Sequence, residues 1–144
     1  MSHAFAKAAM FMAAGLMAEA LGHDRIAGLA SIGRALPITL VAFALGGLSM
    51  IGLPPGGAKS MLFTAAVNEG QWWWGVVILG GGVLAAAYIL PVLLTAFQRT
   101  EGAVVVVSPV ARYRELLVLA LALCALSLGY LPISPYEFVQ VGRP

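Results

Sequence analysis

Four long apolar runs and one shorter, interrupted stretch divide the chain. Ala4 to Leu21 is rich in Ala, Met and Leu, with Lys7 and Glu19 near its two ends. Leu36 to Leu53 and Trp72 to Phe97 carry no charge, and Leu116 to Leu131 is closed by Pro132 and Pro135. Eighteen residues at a helical rise of about 1.5 Å each reach roughly 27 Å, close to the hydrocarbon thickness of a bilayer. The runs lack the alternation of barrel strands, so helices are the spanning element. The pattern predicts an all-α, polytopic transmembrane helix bundle over residues 1–132, with 133–144 as a C-terminal tail.

The interrupted stretch is Pro54 to Gly70. Two consecutive prolines cannot donate backbone hydrogen bonds, and Gly56-Gly57 adds freedom where a helix would need order. After this break, Lys59 to Val67 is expected to form a short helix ended by Asn68-Glu69-Gly70. Orphan backbone groups at a broken helix are tolerated at membrane depth only under protein or a water-filled cavity, and such breaks recur at ion sites in transporters. The bland alternative is a loop whose lysine snorkels to the headgroups.

Composition agrees with the pattern. Of 144 residues, 61% are hydrophobic and 10% are charged, against about 25% charged in soluble domains. The formal charge of +2 is small and scattered, which argues against nucleic-acid binding. A single cysteine, Cys124, excludes an internal disulfide and a multi-cysteine metal or iron–sulfur site. No cofactor or metal site is expected.

Arg25 and Arg34 lie between the first and second runs, and Arg99, Arg112 and Arg114 between the third and fourth. If Pro54 to Gly70 does not cross, all five share a side, as the positive-inside rule favours. Trp72-Trp73-Trp74 fits an interfacial aromatic belt. Lys7, an apolar stretch and Ala18-Glu19-Ala20 also match a cleavable secretory signal. Three further apolar runs make a first span the simpler reading. Gly80-Gly81-Gly82 lacks a phosphate-loop signature and is expected to permit close helix packing, while Pro91 is expected to kink its span. His23 and Asp24 are read as loop residues that cap or solvate it.

Chemistry concentrates in two lysines. A charged side chain at a helix centre costs roughly 2.5 to 3.5 kcal/mol on insertion scales, so intramembrane ionisable groups tend to mark ion or proton pathways. Lys7 lies inside the first run and Lys59 just after the break. His3 precedes Lys7 by four residues, which puts both on one helix face. Desolvation disfavours a lysine's charged form and histidine titrates near neutrality, so His3, Lys7 and Lys59 are the candidate proton-relay residues. Against this, His3 stands two residues from the start, where fraying and wetting are the plainer expectation.

His3-Ala4-Phe5-Ala6-Lys7-Ala8-Ala9-Met10-Phe11 followed by Ala14-Gly15, the connection Gly22 to Leu29, Gly33 to Thr39, and Leu48 to Pro55 followed by glycines and Lys59 form an ordered series. Across residues 2 to 98 this series resembles the antiporter-like membrane subunits of respiratory complex I (NADH-quinone oxidoreductase) and the Mrp-type cation/proton antiporters. The resemblance implies about five helices here, one broken at Pro54–Gly57, with the Pro-Pro segment counted as a crossing. It also implies a central axis of Lys, His and Glu along which protons move, with His3 and Lys7 as a pair on one helix and Lys59 at the broken helix.

Two departures accompany it. In the family about nine helices precede this portion, so a truncated or split subunit is expected. The family also places about three more residues between Pro-Pro and the lysine, and their loss turns Lys59 by about 60° around its helix. The expectation is therefore a membrane component of a proton or cation/proton translocating complex, working with other membrane subunits of a complex I-like or Mrp-like assembly in a bacterial or archaeal plasma membrane. This chain carries no redox chemistry of its own. The alternatives are a non-functional remnant of such a subunit and a small structural membrane protein that braces partners.

Overall fold

The computed structural model describes residues 2–52, 58–98 and 105–130, with backbone alone for 58–61 and 130. Six α-helices are described: α1 (Ser2–Leu21), α2 (Ile32–Ala35), α3 (Pro37–Ile51), α4 (Ala58–Asn68), α5 (Trp73–Phe97) and α6 (Arg112–Tyr130), with a 3₁₀ turn at Ile26–Leu29. Five of them are the helices expected from the apolar runs and the short stretch after the break. The prolines and glycines of the break itself, and the 133–144 tail, fall outside the described residues.

Local chemistry sets the ends. Gly22 stops α1 in the left-handed region at φ 71°, its N–H bonded to Ala18 O at 2.8 Å. Pro37 opens α3, where its missing donor costs nothing, and Gly52 closes it at φ 102° with its N–H on Leu48 O. Ser31 carries a positive φ of 64° without being glycine. Two bonds to Gln98 O offset that strain, from its N–H at 3.0 Å and its Oγ at 3.1 Å. They tie the start of α2 to the end of α5.

α1, α3 and α6 pack on one another, α5 lies against the other side of α3, and α4 packs on α5. Adjacent glycines make α3 thin where this matters. A Cβ at Gly46 would meet Met10 Cγ at 2.9 Å and Ala6 O at 3.2 Å, and one at Gly47 would meet Ile89 Cγ2 at 2.8 Å. Gly46 thus admits α1 and its neighbour admits α5, the small-residue packing that membrane helices use in place of a hydrophobic driving force. Within the Gly80-Gly81-Gly82 run, Cβ atoms at Gly80 and Gly81 would meet open space among the described residues. α5 buries only Gly75, Ala85, Ile89 and Ala96 of its 25 residues. Pro91 is accommodated inside it, with the Thr95 hydroxyl donating to Pro91 O at 2.8 Å.

The arginine-bearing connections share one end of the bundle. Arg114 Nη1 and Nη2 each reach a Glu19 carboxylate oxygen at 2.7 Å, and the Val107 N–H bonds Ala20 O. At the same end α2 is held to Gln98. α3 leaves this end and runs about 22 Å for its 15 residues, and α4 adds about 16 Å for its 11, against about 37 Å for the 25 of α5. Phe63 of α4 lies against Gly75 near the start of α5, across the Asn68–Trp72 turn. α3 and α4 therefore run in the same sense, in series, antiparallel to α5. Among the described residues, the helix after Pro-Pro thus continues in the direction of α3.

Candidate functional site: the Lys7 groove

Lys7 sits on the face of α1 opposite Ala6, Ala9 and Ala13, which are fully buried in the bundle. Beside it opens a groove of about 300 Å³. Lys7, Phe11, Ala14 and Ala18, spaced four, three and four apart, form its α1 wall. Phe43 and Met50 of α3 make the floor, and Tyr88 and Val92 of α5 make the far wall. His23, Asp24, Ile26 and Leu29 close the arginine end.

The groove brings together groups that the sequence kept apart. Lys7 lies toward one end, Tyr88 on the opposite wall, and His23 and Asp24 at the other end. Fourteen residues of α1 separate Lys7 from Leu21, about 21 Å at the helical rise, with His23 and Asp24 just beyond the helix end. Proton exchange needs hydrogen-bond reach of roughly 3 Å, directly or through one water. The groove between is lined mainly by Phe, Met, Ala and Val, with few polar groups to hold a chain of waters. These groups do not form a continuous relay by themselves. Among the described residues, Lys7 has no hydrogen-bond or ion-pair partner.

His23 is held in place more firmly than a solvated loop residue. Its Nδ1 accepts the Arg25 N–H at 3.3 Å, which leaves Nε2 to carry the proton of the neutral ring. The ring also covers Gly28, where a Cβ would fall on Cε1 and Nε2. His3 lies one turn before Lys7 on α1 and is exposed. Lys59 belongs to the first turn of α4, and its side chain falls outside the described residues. The structure thus places His3 and Lys7 along one helix and leaves the direction of Lys59 unaddressed.

Glu115 is the buried polar group that sequence reasoning missed. It follows Arg112-Tyr113-Arg114 in sequence, just ahead of the last apolar run, yet it is only 2% exposed. Its Oε2 accepts the Thr39 hydroxyl at 3.0 Å and the Thr39 backbone N–H at 3.2 Å. Arg112 to Glu115 fold into the first turn of α6 because both carboxylate partners are satisfied there. Arg114 is engaged by Glu19, and Glu115 by the start of α3. A glutamate four residues into a helix preceded by basic residues gives no signal of this role.

Comparison with known proteins matches the chain, over residues 1–85, to the family described as NADH:quinone oxidoreductase/Mrp antiporter, TM. The chain belongs to this family. It is 32% identical over 100 residues to NADH-quinone oxidoreductase subunit N of Desulforudis audaxviator (strain MP104C), a match spanning 67% of this chain and 20% of that relative. No solved structure matches it. With its apolar helices α1 and α5 each long enough to cross a bilayer, this NADH:quinone oxidoreductase/Mrp-type chain is an integral membrane protein.

Proposed function

We propose that this chain is a component of a proton or cation/proton translocating membrane assembly of the complex I or Mrp kind, with Lys7 as its charge-carrying group. The observation that carries this reading is the ammonium of Lys7, set at the edge of a largely apolar groove without a partner among the described residues. Lys7 stands on an exposed face of α1 in an apolar span, and an intramembrane ionisable group is expected where a charge must be exchanged and not simply neutralised. His3, one turn away, is the nearest group of suitable chemistry on the same face. Lys59, at the start of α4, is the third member of the proposed axis. The apolar lining of the groove is the reason for placing entry and exit groups on other membrane subunits.

The test has two stages. Tagged chain is purified from native membranes in mild detergent and its companions are identified by mass spectrometry. Proton uptake is then followed in vesicles carrying the recovered assembly, with wild-type chain or Lys7→Met. Companion membrane subunits together with loss of uptake in Lys7→Met support the proposal. Wild-type uptake by Lys7→Met removes Lys7 from the path. Recovery of the chain alone points to a remnant that inserts and carries nothing.

A further inference from the structure

Glu115 stands where two helix N-termini meet. It belongs to the first turn of α6, and it reaches across to Thr39, the third residue of α3. The residue before α3, Leu36, has no side chain able to cap it, and no cap bond is made from that position. The unsatisfied donors of a helix start are normally met within the same segment by Ser, Thr, Asp or Asn. Here the acceptor comes from a helix 76 residues later in the chain. The positive ends of both helix dipoles face the one carboxylate, and buried surroundings strengthen each interaction.

The same contact bears on the groove. Thr39 and Phe43 are four residues apart and share one face of α3. Phe43 is 95% buried and lines the same groove as Lys7. α3 is thin at Gly46 and Gly47, so its seat depends on what fixes its end. We propose that Glu115 is a positioning residue: as an inter-helix cap it sets the depth and rotation of α3, and so the shape of the Lys7 groove. Its importance for transport rests on the Lys7 reading above, whereas the contact and its effect on Lys7 do not.

The experiment reads amine reactivity and not transport, so its failure is separable from failure of the transport proposal. Full chain in lipid nanodiscs is treated with a small amine-reactive acetylating reagent, and the modification rates of Lys7 and Lys59 are followed separately by mass spectrometry. In Glu115→Ala the Lys7 rate rises by about tenfold, the scale expected when a charge-assisted bond fixing a helix end is lost, while the Lys59 rate is unchanged. Glu115→Gln, whose amide oxygen can still accept, falls between wild type and Glu115→Ala. Thr39→Val, which removes only the hydroxyl, gives a smaller rise and serves if Glu115→Ala does not fold. An unchanged Lys7 rate in the folded variants overturns the proposal. So does an equal rise at both lysines, or a glutamine variant indistinguishable from alanine.

Discussion

Arg114 grips Glu19 through two parallel 2.7 Å hydrogen bonds, joining α1 to α6 across 95 residues of sequence. The fork-on-carboxylate geometry is the most directional ion pair available to these side chains. Both groups are roughly two-fifths exposed, so its value lies in register more than in strength. Glu19→Arg and Arg114→Glu are each expected to lower the thermal midpoint of the detergent-solubilised chain. The double exchange should recover most of the loss. A double variant no better than the worse single one would show that the pair does not set register.

The two glycine groups should separate cleanly. Gly47→Ala forces a methyl to within 2.8 Å of Ile89 Cγ2, a buried branched side chain with little room to yield. Overpacking of this kind costs about 1–3 kcal/mol. Gly81→Ala meets nothing and removes backbone freedom within a helix, so it should be neutral or stabilising by roughly 0.5–1 kcal/mol. Thermal unfolding of the two variants in the same detergent makes the comparison.

Lys7→Met should move stability and function in opposite directions. Replacing an ammonium beside an apolar groove with an isosteric thioether relieves the cost of keeping charge there, so the thermal midpoint should rise. In an assembled, transporting complex the same change should slow proton movement by about a hundredfold or more, the lower range for loss of a proton-transferring group. A parallel fall in both quantities would instead mark Lys7 as a structural residue.

Gly28 offers a way to displace His23 without changing its chemistry. A Cβ at Gly28 overlaps the imidazole, but the ring is exposed and can swing away. Gly28→Ala is therefore expected to cost less than about 1 kcal/mol, within the range of ordinary surface changes. It should also release the Arg25 N–H bond, visible as faster amide exchange at Arg25 and averaging of the His23 ring signals. Protected exchange at Arg25 in the variant would show that the ring had found another way to stay.

The fold was legible where apolar length decides it. α1, α3 and α5 begin and end within about two residues of their apolar runs, because a span must be apolar along its length and Gly22, Pro37 and Gly52 punctuate it. α6 begins four residues early, at Arg112, because Arg114 and Glu115 find partners on α1 and α3 that no local pattern reveals. The close-packed glycines of α3 were hidden for the same reason. The visible triplet Gly80-Gly81-Gly82 drew attention, while Gly46-Gly47 matter because of what lies opposite them. Of the site, Lys7 stood out as a charge in an apolar run. Its neighbours in the groove, Tyr88, His23 and Asp24, come from separate elements and could be gathered only by the packing.

Placing the arginine-bearing connections at one end has a consequence for how the chain enters the bilayer. α3 and α4 run in the same sense, so what joins the described helices of the middle hairpin at the far end is the short turn of Asn68, Glu69, Gly70 and Gln71. That turn holds one acid and no base, whereas Arg25, Arg34, Arg112 and Arg114 lie at the other end of the bundle, the end the positive-inside rule assigns to the side of synthesis. Cationic side chains resist translocation far more than acidic ones do. The chain can thus enter as successive hairpins, with the lightly charged tip passing first and each arginine connection acting as a stop behind it.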